Sequence, residues 1–226
     1  MKHSTILLLL ATVGFMSCKS KCPAPSPLVH DTIAVVFQAT LGNETNSGFM
    51  EENTPTTSYS NYTEMFVGSW THGAGFVKHR YIFAPDLSSI PQNAIIDSAF
   101  ITFQGTDNAT SANVSGGQFN NYGDNSFYME RISTSWDKQT VNWNNQPTTT
   151  VMNRIAVADL GNGNQGSGKI SILPLVKDMV TLSSTSYGIL IKLQDETTPS
   201  YRRILFASNN HSNASLHPSL KIYYRK

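Results

Sequence analysis

Ala94-Ile95-Ile96-Asp97-Ser98-Ala99-Phe100-Ile101-Thr102-Phe103-Gln104 is the longest stretch of this chain in which side chains alternate with a period of two. Ile96, Ser98, Phe100 and Thr102 fall on one face of an extended strand. Ile95, Asp97, Ala99, Ile101 and Phe103 fall on the other. Shorter apolar or alternating runs recur at 32–39, 64–68, 77–84, 126–132, 151–158, 169–173, 188–193, 203–208 and 219–224. Clusters of Asn, Gly, Ser and Pro separate them, as turns require. Only 175–182 reads as helix, two turns at most. Many short strands with almost no helix predict an all-β fold: a jelly-roll-like β-sandwich of two antiparallel sheets, with at most one short helix. A polar insertion at 105–125 contains Gly116-Gly117 and Asn120-Asn121; loops of that length are usually functional or irregular.

The N-terminal end reads as an export signal. Met1-Lys2-His3 gives a short positive start, and Ile6 to Phe15 forms an apolar run too short to span a bilayer. Ser17 is a small residue before Cys18. Residues 1–17 thus form a signal, and its ending resembles a bacterial lipoprotein signal of the relaxed, Bacteroidetes-like kind. That resemblance implies cleavage before Cys18 and lipidation of Cys18, with outer-membrane anchoring on the periplasmic or cell-surface face. Several acyl chains hold stably where one is marginal. An ordinary cleaved signal, with Cys18 incidental, is the alternative. Cys18 and Cys22 are the two cysteines of the chain. An acylated Cys18 leaves Cys22 without a partner, so the exported fold must rest on its core rather than on a disulfide. Residues 18–29 read as a tether, in which Pro23, Pro25 and Pro27 favour an extended spacer. Residues 30–226 suffice for one sandwich domain, expected to be monomeric.

Composition argues against nucleic acid. The chain is only 14% charged with a formal charge of +1, and loss of Lys2 with the signal removes even that excess. The charge is unevenly placed. Asp31, Glu44, Glu51, Glu52 and Glu64 lie in a stretch free of Lys and Arg, whereas only bases follow Glu196: Arg202, Arg203, Lys221, Arg225 and Lys226. First and last strands lying side by side would balance these; an acidic loop for a cation and a basic face for an anionic ligand is the alternative.

Five pieces of sequence resemble a known family, in that family's order. They are Asn61-Tyr62 before Met65-Phe66-Val67-Gly68, and Arg80-Tyr81-Ile82-Phe83 before Asp86-Leu87-Ser88-Ser89-Ile90-Pro91. Ser135-Trp136 then precedes Thr140-Val141-Asn142-Trp143-Asn144-Asn145-Gln146-Pro147, followed by Tyr187-Gly188-Ile189-Leu190-Ile191-Lys192 and by 203–224. Together they resemble DNRLRE-type domains, a group overlapping carbohydrate-binding module family 96. The chain departs from the pattern at Phe206-Ala207-Ser208-Asn209-Asn210, where a Glu is common, and in its insertion. The resemblance implies a non-catalytic β-sandwich, found beside enzymes or on cell surfaces, with polysaccharide as its ligand.

Motifs of other chemistries do not hold. Gly161-Asn162-Gly163-Asn164-Gln165-Gly166 fits G-x-G-x-x-G, but Lys169 leads into the strand-like Ile170-Ser171-Ile172 rather than a helix whose N-terminus could face phosphate. Neither a G-x-S-x-G elbow nor an H-E-x-x-H motif occurs, and His72 and His79 have no recognised metal spacing. A lyase-like grouping of His79, Arg80 and Tyr81 fails because adjacent strand residues point to opposite faces. No enzyme is expected.

Sugar binding asks for flat apolar rings with polar groups around them. Trp136 and Trp143, inside the family motif, are expected in the core. Trp70, in a glycine-bounded loop, and Tyr122, in the insertion, are expected at the surface as ligand-binding residues. Arg80, Arg131 and Arg203 carry planar forks suited to a uronate; salt bridges to the acids of the first segment are their structural alternative. Glu44, Glu51 and Glu52, with Asn53, offer hard oxygen donors for a structural calcium ion, which is common in such sandwiches by analogy. The expectation is a surface lipoprotein that binds polysaccharide. A structural or adhesive surface protein and a carbohydrate-active enzyme are the alternatives.

Overall fold

The longest predicted strand forms, but with a change of phase. It is β5 (Ile95–Phe103), and its neighbour β11 (Ser219–Arg225) pairs Tyr223 with Ser98 and then Tyr224 with Ile96. Asp97 is left over as a bulge, which shifts the alternation by one residue. Ile96 therefore joins Ala99, Ile101 and Phe103 in the core, while Ile95 is 54% exposed. The two-face assignment read from sequence is correct from Ser98 onward and inverted before it. The bulged carboxylate is used: Arg225 Nε and Nη2 donate to Asp97 at 3.0 and 2.9 Å.

The computed structural model describes residues 31–36, 46–73, 75–106, 121–161 and 168–225. Its other strands are β1 (Asp31–Val36), β2 (Asn46–Glu51), β3 (Glu64–His72), β4 (Gly75–Ala84), β6 (Phe127–Ile132), β7 (Thr149–Val157), β8 (Gly168–Ser171), β9 (Ile189–Leu193) and β10 (Arg202–Ala207). The helix α1 spans Leu173–Thr181, opens with a proline in its first turn, and buries Leu175, Val176, Met179 and Val180. Every predicted strand is present among the described residues, the first as far as Val36, since 37–39 lie outside them; β2 is the one that sequence patterning missed.

All strand pairs are antiparallel. One sheet has the order β1-β11-β5-β8; the other runs β10-β3-β4-β9-β6-β7, with β2 also on β4. Setting β2, β3 and β10 aside leaves β1-β11-β5-β8 facing β4-β9-β6-β7, the strand order of a jelly roll. β4 is the branching element. At Tyr81–Phe83 it pairs with both β2 and β9, and at His79 with both β2 and β3. A strand has two edges, so β2 holds one and β3 and β9 follow each other along the second. First and last strands do lie side by side, as the charge pattern anticipated.

The main core lies between the sheets. Phe103 stacks on Phe206 at 5.4 Å and meets Phe83 edge-on at 6.4 Å. On the opposite face of the larger sheet, Met50, Ile82, Ile132, Val141 and Leu190 form a second core, covered by Trp136, Trp143 and Tyr187. Trp136 Nε1 donates to the Tyr187 carbonyl at 2.8 Å. Both tryptophans are packing residues, as expected.

Gly188 leads into β9 with φ +118°, and an added Cβ would sit 2.3 Å from the Phe83 carbonyl oxygen. Gly188→Ala is expected to cost about 2–4 kcal/mol, from a strained backbone and a displaced strand. Urea denaturation reads this; a loss below about 0.5 kcal/mol would mean that β4 and β9 tolerate the separation.

Candidate functional site

The register of four strands sets one row of residues across the larger sheet. Glu51 on β2 pairs with His79 on β4, His79 with Gly68 on β3, Gly68 with Arg203 on β10, and Arg203 with Tyr122. Paired residues project to the same face, so the row is shared. Gly68 must be glycine: a Cβ there would lie 2.5 Å from the Arg202 carbonyl and 3.0 Å from Arg203 Cβ. Trp70, two residues further along β3, shares this face. The Arg203 guanidinium carbon sits 4.5 Å from the centre of its ring.

Trp70 therefore belongs to a strand, not to the loop that its flanking glycines suggested. β3 continues to His72 and turns directly into β4, and Trp70 is half-buried with partners. Tyr201 meets it at 4.7 Å and 62°, and Tyr122 meets it edge-on at 5.8 Å and 80°. Phe76 packs on Tyr201 at 4.9 Å. Tyr122 and Tyr201 are 42% and 45% exposed, so the outer rim of this seam is aromatic and open to water. Thr71 Oγ1 and Tyr201 Oη lie 3.4 Å apart beside it. Two backbone hydrogen bonds hold Tyr122 in place: its N–H donates to the Arg203 carbonyl at 3.0 Å, and Arg203 N–H returns one at 2.9 Å. Arg203 itself is 1% exposed, and burial lowers its pKa from the ordinary value.

A pocket of about 250 Å³ opens on the other side of Trp70, lined by Phe49, Glu51, Tyr59, Tyr62 and His72 among others. Glu51 at its base is buried. One carboxylate oxygen is hydrogen-bonded to His72 Nδ1, and the other lies 3.9 Å from His79 Nε2. His79 is stacked on Phe49 at 5.4 Å, and burial pushes its pKa down to about 3. The Tyr62 phenol is pushed up to about 12, first by burial and then by Tyr59, Glu51 and Glu64. The Asn210 side-chain amide donates to the Ser60 and Tyr62 carbonyls at 3.0 and 3.2 Å, fixing the segment that carries Tyr59 and Tyr62.

Of the residues singled out from sequence, Trp70, Tyr122 and Arg203 come together. Arg80 and Arg131 do not join them. Arg80 grips Glu196 with Nε and Nη2 at 2.9 and 2.5 Å, gives Nη1 to Gln146 at 2.7 Å, and lies 4.7 Å over Trp143. Arg131 Nη1 donates to the Thr185 carbonyl at 2.8 Å and Ser186 Oγ at 3.0 Å, with Asp178 3.8 Å from its Nε. Their acids are Glu196 and Asp178, not those of the first segment. Glu51 and Glu52 are not a shared loop donor set either: Glu51 ends β2 and turns to the histidines, whereas Glu52 takes Lys78 Nζ at 2.7 Å. Among the described residues no group of three or more His, Cys, Asp or Glu side chains is placed to hold a metal. Glu44 and Cys18 lie outside the described residues.

Sequence reading gave no site role to Tyr201, Phe76, Tyr59 or Tyr62, although Asn61-Tyr62 stands in the first of the family-like pieces. It also set His72 and His79 apart, although the β3–β4 hairpin brings both to Glu51. A hairpin reading of 64–84 was the available signal.

A family model described as carbohydrate-binding module family 96 matches residues 40–224, from before β2 to within β11. No curated protein matches the chain.

His79 supplies a test of the site's electrostatics. Its folded pKa of about 3 lies below the ordinary value of 6.5, so the folded protein binds fewer protons than the unfolded chain between those values. Its contribution to stability is complete above that ordinary value and declines as the pH falls toward the folded one. The limiting slope is about 1.4 kcal/mol per pH unit. His79→Gln is expected to flatten stability measured by urea denaturation between about pH 6.5 and 5. An unchanged slope would mean that His79 is protonated in the fold.

Proposed function

The chain belongs to carbohydrate-binding module family 96, and on that premise we propose that it holds a polysaccharide against the seam of Tyr122, Trp70 and Tyr201, with Phe76 packed behind Tyr201. The observation that carries this reading is the partial exposure of Tyr122 and Tyr201 around a Trp70 that is itself fixed from behind by Arg203. Sugar rings present flat C–H faces, which aromatic side chains cover at little cost in side-chain freedom. Rings already held by one another and by the sheet need no ordering when the ligand arrives. Thr71, the Tyr hydroxyls and the rim of the adjoining pocket supply hydrogen bonds to hydroxyl groups. A carbohydrate-binding module is a non-catalytic class, and the protein acts here by holding rather than cleaving. Glycoside hydrolysis takes two carboxyl groups about 5–9.5 Å apart across the bond; among the described residues Glu51 is the one carboxylate lining the pocket.

A uronate-containing glycan is the acidic form of this reading. Arg203 favours it: a cation behind the indole draws negative charge from the ring face offered to the ligand. Arg80 and Arg131, closed on Glu196 and Asp178, do not contribute. Calcium is read in the same titrations by adding a chelator. With Glu51 and Glu52 engaged by histidines and Lys78, affinity is expected to survive it. The adhesive alternative has its own observation, since Val151 and Met152 are exposed on β7, at the margin of the larger sheet. Such edges favour self-association.

Calorimetric titration with neutral and acidic polysaccharides tests the reading. Trp70→Ala and Tyr201→Ala are each expected to weaken binding about tenfold or more, as central contacts do. Folded variants that bind as tightly as the parent would move the ligand elsewhere. A protein that binds no glycan, but self-associates through β7, would be adhesive.

The envelope reading is tested at the signal. Cys18→Ala is expected to abolish incorporation of a labelled fatty acid and to release the protein from the membrane fraction. Retention of label would show that Cys18 is incidental.

A further inference from the structure

We propose that the outer face of the smaller sheet rests on the membrane to which the chain is anchored, with Lys169 and Lys221 meeting anionic lipid headgroups. This rests on the envelope reading and adds an oriented contact to it.

The face is set by register. Ile96, Ala99, Ile101 and Phe103 of β5 point into the core, which leaves Ser98, Phe100 and Thr102 outside. Pairing carries that outer side across the sheet. On β11, Tyr223 lies beside Ser98, Lys221 beside Phe100 and Ser219 beside Thr102. On β8, Lys169 lies beside Thr102 and Ser171 beside Phe100. The solvent side of such a sheet is ordinarily polar. Here it carries two half-buried rings, each with a lysine over it. Lys169 Nζ is 4.3 Å from the centre of Phe100, and Lys221 Nζ is 5.1 Å from that of Tyr223. Ile95, 54% exposed, extends the apolar part past the bulge at Asp97.

The free charge of this face is positive. The lysine ion pairs among the described residues are those of Lys78 and Lys192, on the larger sheet, so Lys169 and Lys221 keep theirs for an outside partner. Asp97, the one acid among the described residues of this face, is closed on Arg225. Rings with lysines over them have the make-up of a membrane interface. Aromatic side chains sit at headgroup level, and lysine stems lie along apolar surface while their ammonium groups reach phosphates.

The tether brings the membrane to this side. β1 borders β11, with Asp31 beside Tyr224, and residues 18–30 lead straight into it. A proline-rich spacer of that length reaches about 40 Å at about 3.1 Å per residue, about the width of a domain of this size. The chain thus enters the fold at the margin of the lysine face. Two lysines bind an anionic surface weakly from solution, but a tethered contact is intramolecular and gains from effective concentration. An acidic polysaccharide matches the same two charges without being tied to this side of the fold.

The test places the lipid-anchored protein in vesicles of phosphatidylcholine alone, or of phosphatidylcholine and phosphatidylglycerol in equal parts. Lysines are then acylated with a water-soluble ester and located by mass spectrometry. Lys169 and Lys221 are expected to react about fivefold or more slowly on the anionic vesicles, the factor that one basic side chain gains at such a surface. That protection should fade as salt rises. Lys177, exposed on α1, is the reference and should react equally on both. Lys221→Glu, on the exposed side of β11, should restore the reactivity of Lys169. Equal reactivity on the two vesicles, protection indifferent to salt, or equal protection of Lys177 overturns the inference and leaves the envelope reading standing. Protection by polygalacturonic acid on detergent-held protein, but not by vesicles, gives the face to a glycan and overturns it too. A protein whose mass carries no acyl groups removes the envelope reading and this inference together.

Discussion

Everything at this site depends on one transverse register, in which Glu51, His79, Gly68, Arg203 and Tyr122 lie abreast across the larger sheet. The register works because Gly68 has no side chain. With that position empty, β10 can approach β3 closely and Arg203 can pass under Trp70. A slip by one residue would send each of these side chains to the other face. Seam and pocket are therefore two ends of one row, and Trp70 joins them.

The row also explains why so much polar chemistry is buried. Removing a guanidinium from water costs several kcal/mol unless the fold gives something back. Trp70 returns part of that, because cation–π contacts strengthen to about 2 kcal/mol or more once water is excluded. At the other end, His79 avoids the cost by staying neutral between Phe49 and Phe66. Glu51 lies buried beside it and is met by His72, which stands half-exposed at the rim. The larger sheet thus carries a cation held behind an aromatic ring and an anion held behind an aromatic pocket. Each is placed where a ligand would feel its field.

Much of the fold could be read in the sequence, and the failures have physical causes. Strands such as β5 and β11 show themselves by alternation because one face is dry and the other wet. β2 did not, since Ser47, Gly48, Phe49, Met50 and Glu51 are all buried and no polar face alternates with an apolar one. The bulge at Asp97 arises from pairing with β11, far along the chain, and leaves no local mark. Gly68 looked like loop punctuation, whereas its reason is a close approach of β10. Trp136 and Trp143 were legible as packing residues because their motif came with the family resemblance. Trp70, Tyr122 and Arg203 were legible as chemistry, but not as neighbours. Tyr201 and Tyr62 gained their roles only through tertiary contacts.

The most direct measurement of where the glycan lies uses the three tryptophans themselves. Each indole N–H gives its own resonance, so a ¹H–¹⁵N spectrum recorded while a bound oligosaccharide is titrated reports on Trp70, Trp136 and Trp143 separately. The account predicts that the Trp70 signal moves with saturation while Trp136, bonded to the Tyr187 carbonyl, and Trp143, covered by Arg80, stay in place. Movement of Trp136 or Trp143 with Trp70 unmoved would contradict it, and would put the ligand over the second core instead.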